Sequence, residues 1–209
     1  VRHKRETMSM SNITNKFILL IFVSLILASC ATAPSQAPKP VPAGYLYKGG
    51  YINVRVPNSD GWNLVSSSSA GMEFTRSGTE QGESFGAQVL MFPLPETKSE
   101  EEFVALIKRS FEADTDSARF SIVKSDFKYS GERSYPCVRI SSVVEDKQAK
   151  TSPNRSAKLL LQSRSLYCRH PVRQGTGFVI IYSHRGKTQY ENLTLEAKDF
   201  ISGVQVPEQ

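Results

Sequence analysis

The feature that most constrains the fold is a pair of long segments with the pattern of extended strands, on either side of a turn sequence, Thr151-Ser152-Pro153-Asn154. Two such segments joined by a turn are typical of an antiparallel hairpin. A turn centred between Ser152 and Pro153 pairs positions whose numbers sum to 305, so Cys137 lies opposite Cys168. Directly opposed residues share a face, with Cα atoms about 4.5–5.5 Å apart, which is within reach of a disulfide. The sequence therefore predicts a structural disulfide between Cys137 and Cys168.

Strand patterns dominate the chain around this hairpin, and two helical patterns interrupt them. The predicted strands cover about 51–56, 62–65, 71–76, 85–92, 120–129, 134–147, 156–170 and 177–184. The last strand is almost entirely apolar, which is typical of a central strand covered on both faces.

The first predicted helix follows a capping box at Ser99 and Glu102, and the second covers about 192–202 with Gly203 as its cap. The order of elements predicts an α+β domain with a mostly antiparallel sheet and two main helices packed on it.

The N-terminal region has the order of a secretory leader. Four basic residues precede or border an apolar run at 17–28, which is shorter than the roughly 18–20 residues that cross a bilayer. They are Arg2, Lys4, Arg5 and Lys16. The run ends in Leu27-Ala28-Ser29-Cys30, which resembles the lipobox of bacterial lipoprotein signal peptides. The resemblance implies cleavage before Cys30, acylation of Cys30, and attachment to a membrane through two or three acyl chains. The residue Ala31 implies the outer membrane by the same resemblance.

These features predict three regions: a signal peptide at 1–29, an acylated cysteine with a Pro-rich disordered tether at 30–48, and one globular domain at 49–209. Loss of 1–29 removes four of the 26 basic residues and one of the 20 acidic residues, Glu6. The mature chain then has 22 basic and 19 acidic residues, so its net charge falls from +6 to +3. Since half of the basic excess is targeting charge, a nucleic-acid partner is not expected.

The order of elements in 49–206 also resembles the fold shared by the PsbP photosystem proteins and the DcrB-type bacterial lipoproteins. The resemblance lies in a strand before Pro57 and Trp62, a helix after the early strands, a long hairpin and a C-terminal helix. It implies an α/β/α sandwich and a binding or assembly role without catalysis, and it assigns no functional residue.

A metal or enzymatic site is the alternative to a disulfide at the hairpin. His170 lies two residues after Cys168, so Cys137, Cys168 and His170 are expected on one face, where they could form a metal site. A disulfide agrees better with export, because Cys30 is used for acylation and leaves an even number of thiols in an oxidising compartment.

The sequence Gly82-Glu83-Ser84-Phe85-Gly86 matches the Gly-x-Ser-x-Gly pattern of hydrolase nucleophiles. That chemistry needs the serine on a sharp turn from a strand to a helix. Here a Gly-rich segment precedes Ser84 and an apolar strand follows it, so a loop that enters a strand is the expected structure.

Six cationic or imidazole side chains lie near the ends of two strands that the pattern places close together. They are Arg164, Arg169, His170, Arg173, Arg185 and Lys187. Such a group either binds an anionic partner or forms a solvated sheet edge that discourages edge pairing.

The sequence as a whole predicts a lipid-anchored envelope protein, held at the outer membrane and facing the periplasm. Its domain is expected to bind or scaffold an envelope protein or a wall or lipid component without catalysis. No cofactor and no bound metal are predicted under this interpretation.

Overall fold

A computed structural model describes residues 38–152 and 155–207, and these residues form two antiparallel sheets and two helices. The strands are β1 Lys39–Pro40, β2 Leu46–Tyr47, β3 Asn53–Arg55, β4 Asn63–Ser68, β5 Gly71–Ser77, β6 Ser84–Pro93, β7 Phe120–Ser130, β8 Cys137–Ser152, β9 Arg155–Arg169, β10 Thr176–Gly186 and β11 Val204–Gln205. The helices are α1 Glu100–Asp114 and α2 Leu193–Ser202. Eight strands form one sheet in the order β1-β4-β5-β6-β10-β9-β8-β7, and β11, β3 and β2 form the other.

The helices cover opposite faces of the eight-stranded sheet. Successive side chains of a strand point to opposite faces, so each strand contributes to two cores. We call the face that carries α2 and the three-stranded sheet the α2 face; its core includes Phe178, Ile180, Tyr182, Leu193, Ala197 and Phe200. The other is the α1 face, with Phe103, Ile107, Val138 and Ile140. The predicted α+β class with helices on both faces of an antiparallel sheet is confirmed.

The strand β10 is a central strand, as its apolar sequence predicted, and its neighbours in the sheet are β6 and β9. Phe178, Ile180 and Tyr182 are fully buried on the α2 face, and Val179 is buried on the α1 face. Each such side chain contributes roughly 1.5–3 kcal/mol to folding by leaving water.

Local capping sets the helix ends. The amide of Glu102 donates to Ser99 Oγ at 3.2 Å. The Glu102 carboxylate accepts from the amide of Lys98 at 2.6 Å, one residue before the position that the capping box predicted. At the end of α2, Gly203 has a right-handed conformation with φ −74°. A Cβ there would lie 3.0 Å from the Cβ of Arg55, so close packing, not a left-handed cap, favours glycine.

The hairpin of β8 and β9 has the predicted register at its open end. Cys137 pairs with Cys168, and a disulfide joins them, with 2.09 Å between the sulfur atoms. Nearer the turn, Ser152 pairs with Arg155, so the turn is centred one residue later than predicted. Two register shifts between the turn and Asp146 bring the pair numbers back to a sum of 305.

The predicted domain boundary at residue 49 needs correction. β1 pairs with β4, and β2 pairs with β3, so the segment 39–47 is joined to the sheets at both ends and is part of the domain, not of a tether. The amide of Val41 also donates to the carbonyl of Trp62 at 3.0 Å, and the side chains of Val41 and Tyr47 pack on the core. Apolar residues between the prolines therefore anchor this segment. The predicted signal peptide, Cys30 and the first part of the tether lie outside the described residues.

Within the described ranges, no helix combines the length and apolar character that crossing a lipid bilayer requires.

Candidate binding groove

An apolar cavity opens on the α2 face between residues 49–54 and the strands β4, β5 and β6. Its volume is about 360 Å³. The apolar side chains that line it are Tyr51, Ile52, Val54, Met72, Val89 and Met91. A volume of this size is at the lower end of the range for small-molecule sites, which are mostly apolar and concave.

Strand alternation explains why these residues meet. Met72 of β5 pairs with Val89 of β6, and Met91 follows Val89 on the same face. Across the cavity, Ile52 and Val54 point inward from the alternating segment that begins the domain core. At the mouth, a Cβ on Gly71 would lie 2.2 Å from the carbonyl oxygen of Val89, so only glycine allows the two strands to approach this closely.

A second, more open cleft continues the cavity toward the loop between β9 and β10. It has a volume of about 490 Å³ and shares Tyr51, Ser69 and Met91 with the first cavity. Arg173 and Thr176 line its far side. We call the two connected cavities the apolar groove.

The loop at the far end of the groove places a cation beside an aromatic ring. The guanidinium carbon of Arg173 lies 4.0 Å from the centroid of the Tyr51 ring. His170 fixes the loop, because its Nδ1 accepts from the amides of Val172 and Arg173 at 3.3 and 3.2 Å. Its Nε2 lies 3.3 Å from the carbonyl oxygen of Tyr51 and donates to it in this tautomer. A largely apolar groove therefore ends at one positive charge.

The six predicted cationic and imidazole residues do not form one cluster, which corrects that expectation. Arg169 pairs with Gly177, whereas Arg185 pairs with Leu161, eight residues further along β10. At about 3.4 Å per residue, this separation is roughly 27 Å. The strand patterns placed these residues near strand ends but did not show that the ends are opposite.

Each of the six residues has its own local role. His170 and Arg173 lie at the groove, and Arg169 donates to Pro95 O and Thr97 Oγ1 at 3.0 and 2.8 Å. At the other end of β10, Arg185 Nη1 lies 3.9 Å from Asp146 Oδ2, and Lys187 Nζ lies 3.9 Å from Glu80 Oε2. Arg164 lies between these ends, on the α2 face, and donates to Thr194 Oγ1 at 3.3 Å.

The alternative metal site does not assemble in this geometry. Cys137 and Cys168 are joined to each other, and both ring nitrogens of His170 are engaged with backbone groups. In residues 38–152 and 155–207, no three side chains of His, Cys, Asp or Glu converge as metal ligands do.

The Gly-x-Ser-x-Gly segment also lacks the geometry of a nucleophile. Ser84 is the first residue of β6 and pairs with Arg185, whereas His184 pairs with Phe85. Ser84 and His184 therefore point to opposite faces of the sheet. As expected from the sequence, Ser84 is at the point where a loop enters a strand.

Sequence reasoning missed a partly buried polar network that fastens α2 to the sheet. The Glu196 carboxylate accepts hydrogen bonds from Tyr182 Oη and from Tyr190 Oη, the latter at 2.6 Å, and Arg76 Nη2 lies 3.4 Å away. Burial, together with the bond to Glu196, raises the pKa of Tyr182. The bond to Glu196 is also the main reason that the pKa of Tyr190 is raised.

A second pair continues this network along β10. His184 Nε2 lies 2.9 Å from Glu83 Oε1, and the bond holds the pKa of Glu83 below its usual value. The sequence carried a signal for the network at Glu196 and for the His184–Glu83 pair, since Tyr182 and His184 lie in the apolar segment predicted as a central strand. Buried polar side chains in such a strand require partners.

No protein-family model and no curated protein matches the sequence. Among solved structures, the Ran-binding protein Mog1p of Saccharomyces cerevisiae superposes with a TM-score of 0.42 at 12% sequence identity. The superposition covers 81% of this chain and 95% of that chain. A similarity this distant supports no conclusion about relationship or function, and the resemblance to PsbP and DcrB proteins stays a prediction.

Proposed function

We propose that this chain is a lipid-anchored cell-envelope protein whose domain binds a partner without catalysis, and that the apolar groove is its binding site. The occupant is an amphiphile with an apolar chain and an anionic end, such as a lipid component of the envelope. The observation that carries the proposal is a groove lined by Tyr51, Met72 and Met91 that ends at Arg173.

The lining suits an apolar chain. Methionine side chains are flexible and polarizable, so Met72 and Met91 can adapt to chains of different shape. Tyr51 is 39% exposed at the rim, and Val172, 50% exposed, lies in the neighbouring loop. An amphiphile would therefore cover apolar surface that water now contacts.

The charge at the far end suits an anion. No carboxylate of the described residues lies within ion-pair distance of Arg173, whereas Arg76, Arg119 and Arg139 each have one. The stacking on Tyr51 holds the guanidinium in place at the rim. Arginine in a fixed orientation favours carboxylate and phosphate groups, which it binds with two parallel hydrogen bonds.

The envelope location rests on the leader pattern that ends in Cys30. In this proposal, acyl chains on Cys30 hold the domain at the outer membrane, on its periplasmic side. The paired Cys137 and Cys168 agree with this compartment, because disulfides persist where oxidants are present. The domain would then lie next to a lipid surface from which the groove takes its ligand.

The groove is tested with dodecanoate and dodecanol, which have the same apolar chain but differ in charge. Calorimetric titration of the chain from residue 31 onward should show that dodecanoate binds more tightly. Arg173→Gln should weaken dodecanoate about tenfold and leave dodecanol unchanged, since one charge-assisted contact is lost. Met72→Glu should abolish binding of both, because it places a carboxylate in the apolar cavity.

Val123→Glu is the matched control, since it changes an equally apolar residue, 61% exposed, on an edge strand away from the groove. It should bind as the unchanged chain does. Equal affinities in Met72→Glu and Val123→Glu would refute the groove as the binding site.

The anchor is tested separately by fractionation and by the mass of the N-terminal peptide. The mature peptide should begin at Cys30 and carry acyl groups, and Cys30→Ser should release the chain from the membrane fraction. A Cys30→Ser chain that stays fully membrane-bound would contradict the anchor but would leave the groove untouched.

A further inference from the structure

A second pocket lies on the α2 face, on the other side of α2 from the groove. Its volume is about 290 Å³. Strands β8 and β9 supply Arg139, Ser141 and Arg164, and α2 supplies Thr194 and Lys198. Three cations from three different elements thus surround one small space.

The charges around this pocket do not balance. Glu132 is the one carboxylate among the lining residues, and it bonds to Arg139, with 2.6 Å between Arg139 Nη2 and Glu132 Oε2. Asp126 pairs with Ser141 across the neighbouring strand, but it forms an ion pair with Lys128 at 3.3 Å. Two positive charges, on Arg164 and Lys198, remain without a carboxylate within ion-pair distance among the described residues.

Arg164 is the most informative of these residues. Its Nε donates to Thr194 Oγ1 at 3.3 Å and its Nη1 to the carbonyl of Ser163 at 2.9 Å, so the side chain is held in place. Burial lowers its pKa, with no neighbouring acid to compensate. By contrast, the hydrogen bond to Asp146 raises the pKa of Arg119. A guanidinium that is partly desolvated, held in one orientation and without a counter-ion is stabilised when an anion binds to it.

From this geometry we infer a binding site for a phosphoryl group, formed by Arg139, Arg164 and Lys198 with the hydroxyls of Ser141 and Thr194. The net charge of the lining, about +2, matches a phosphate monoester, which carries about −1.5 to −2 at neutral pH, better than a single carboxylate. Guanidinium groups bind phosphate oxygens in pairs, and an ammonium group adds a point charge. The phosphate belongs either to a soluble ester or to a lipid head group.

The test uses the full chain, reconstituted in phosphatidylcholine vesicles, and follows acetylation of Lys198 by peptide mass spectrometry. Glycerol 3-phosphate in the millimolar range should slow the reaction of Lys198 severalfold. Lys108, an exposed lysine on α1, serves as the internal reference and should react at an unchanged rate. Sodium chloride at the same ionic strength should protect neither lysine.

A parallel sample with phosphatidic acid in the vesicles distinguishes the two sources of phosphate. Protection by glycerol 3-phosphate in neutral vesicles supports a soluble ester. Protection only in vesicles with phosphatidic acid supports a lipid head group. Absence of protection in both samples, or equal protection of Lys108 and Lys198, overturns the proposal.

Variants connect the protection to the pocket. Arg164→Gln should raise about tenfold the amount of the protecting phosphate, glycerol 3-phosphate or phosphatidic acid, that halves the acetylation rate of Lys198. This factor is expected for the loss of one charge-assisted contact. Arg109→Gln, an exposed arginine on α1, should leave this amount unchanged. If Arg164→Gln does not fold, Arg139→Gln replaces it with the same expectation. If Lys198 of the folded Arg164→Gln or Arg139→Gln variant is protected as well as in the unchanged chain, the proposal is also overturned.

Discussion

Asp146 is a carboxylate with almost no contact with solvent, and its replacement by asparagine gives a quantitative test of the sheet's electrostatics. The side chain is 1% exposed. Arg119 donates to it twice, from Nε at 2.9 Å and from Nη2 at 2.7 Å, and the amide of Gln148 donates at 3.1 Å. These bonds hold the pKa of Asp146 below its usual value, with the bond to Arg119 as the main cause.

Asp146→Asn keeps the shape of the side chain but removes the charge and places an amide donor against a guanidinium donor. Breaking a buried ion pair costs about 3–5 kcal/mol. Arg119 is 40% exposed and can regain water, so we expect the lower part of that range or less, about 2–3 kcal/mol. For a domain of this size, the loss corresponds to a fall in Tm of about 4–12 °C.

The pH dependence has a definite sign. Because the folded pKa is below the unfolded value of about 3.9, the stabilisation is complete above that value and is lost as the pH falls through the folded pKa. Urea unfolding of both proteins should therefore give the full difference at pH 7 and a smaller one below about pH 4. Asp126→Asn, an exposed aspartate, should change stability by less than about 0.5 kcal/mol. A difference that is the same at pH 7 and pH 2.5, or no larger than that of the control, would refute the reasoning.

Three further predictions concern stability. Replacement of both Cys137 and Cys168 by serine should lower the free energy of unfolding by about 3–4 kcal/mol in urea titrations, since the bridge closes a loop with a sequence separation of 31; no change would contradict a formed bridge. Tyr182→Phe should lower the free energy of unfolding by about 1–3 kcal/mol, because the Glu196 carboxylate loses a hydrogen bond. Amide hydrogen exchange should increase in α2 first, and an equal increase throughout the domain would argue against this local role. Gly71→Ala should lower Tm, because the new Cβ would meet a carbonyl oxygen at 2.2 Å, whereas Gly50→Ala has nothing within 4 Å and should change Tm little; equal shifts would contradict the close approach.

Local patterns explain which parts of the fold could be predicted. Strand patterns and the capping box at Ser99 depend on residues close in sequence, and they predicted the start of α1 and most bounds of the longer strands and of α2 to within about three residues. The exception is β8, which continues to Ser152, five residues beyond the predicted end. The pairing of Cys137 with Cys168 was predicted because a hairpin is also a local structure. The position of its turn was wrong by one residue because β-bulges are not visible in the alternation.

The errors have a common physical origin in contacts between distant residues. β1 and β2 were missed because two-residue strands carry no alternation, and they are ordered by contacts with distant residues: pairing with β4 and β3, and packing of Val41 and Tyr47 on the core. The six cationic and imidazole residues were grouped because the sequence placed each near a strand end. Only the register of β10 with β9 shows that Arg169 and Arg185 lie at opposite ends.

The sequence by itself determined the fold class, the succession of the longer elements, the hairpin register at Cys137 and the leader pattern that ends in Cys30, because each follows from spacing within a short segment. The tertiary structure decided the apolar groove, the network at Glu196 and the pocket at Arg164. Each of these joins elements far apart in the chain, such as residues 49–54 with β6, or β8 with α2. Alternation along one strand shows which of its side chains share a face of the sheet. Which side chains of different strands and helices come into contact depends on the order of strands in the sheet, and that order is set by the packing of the whole domain.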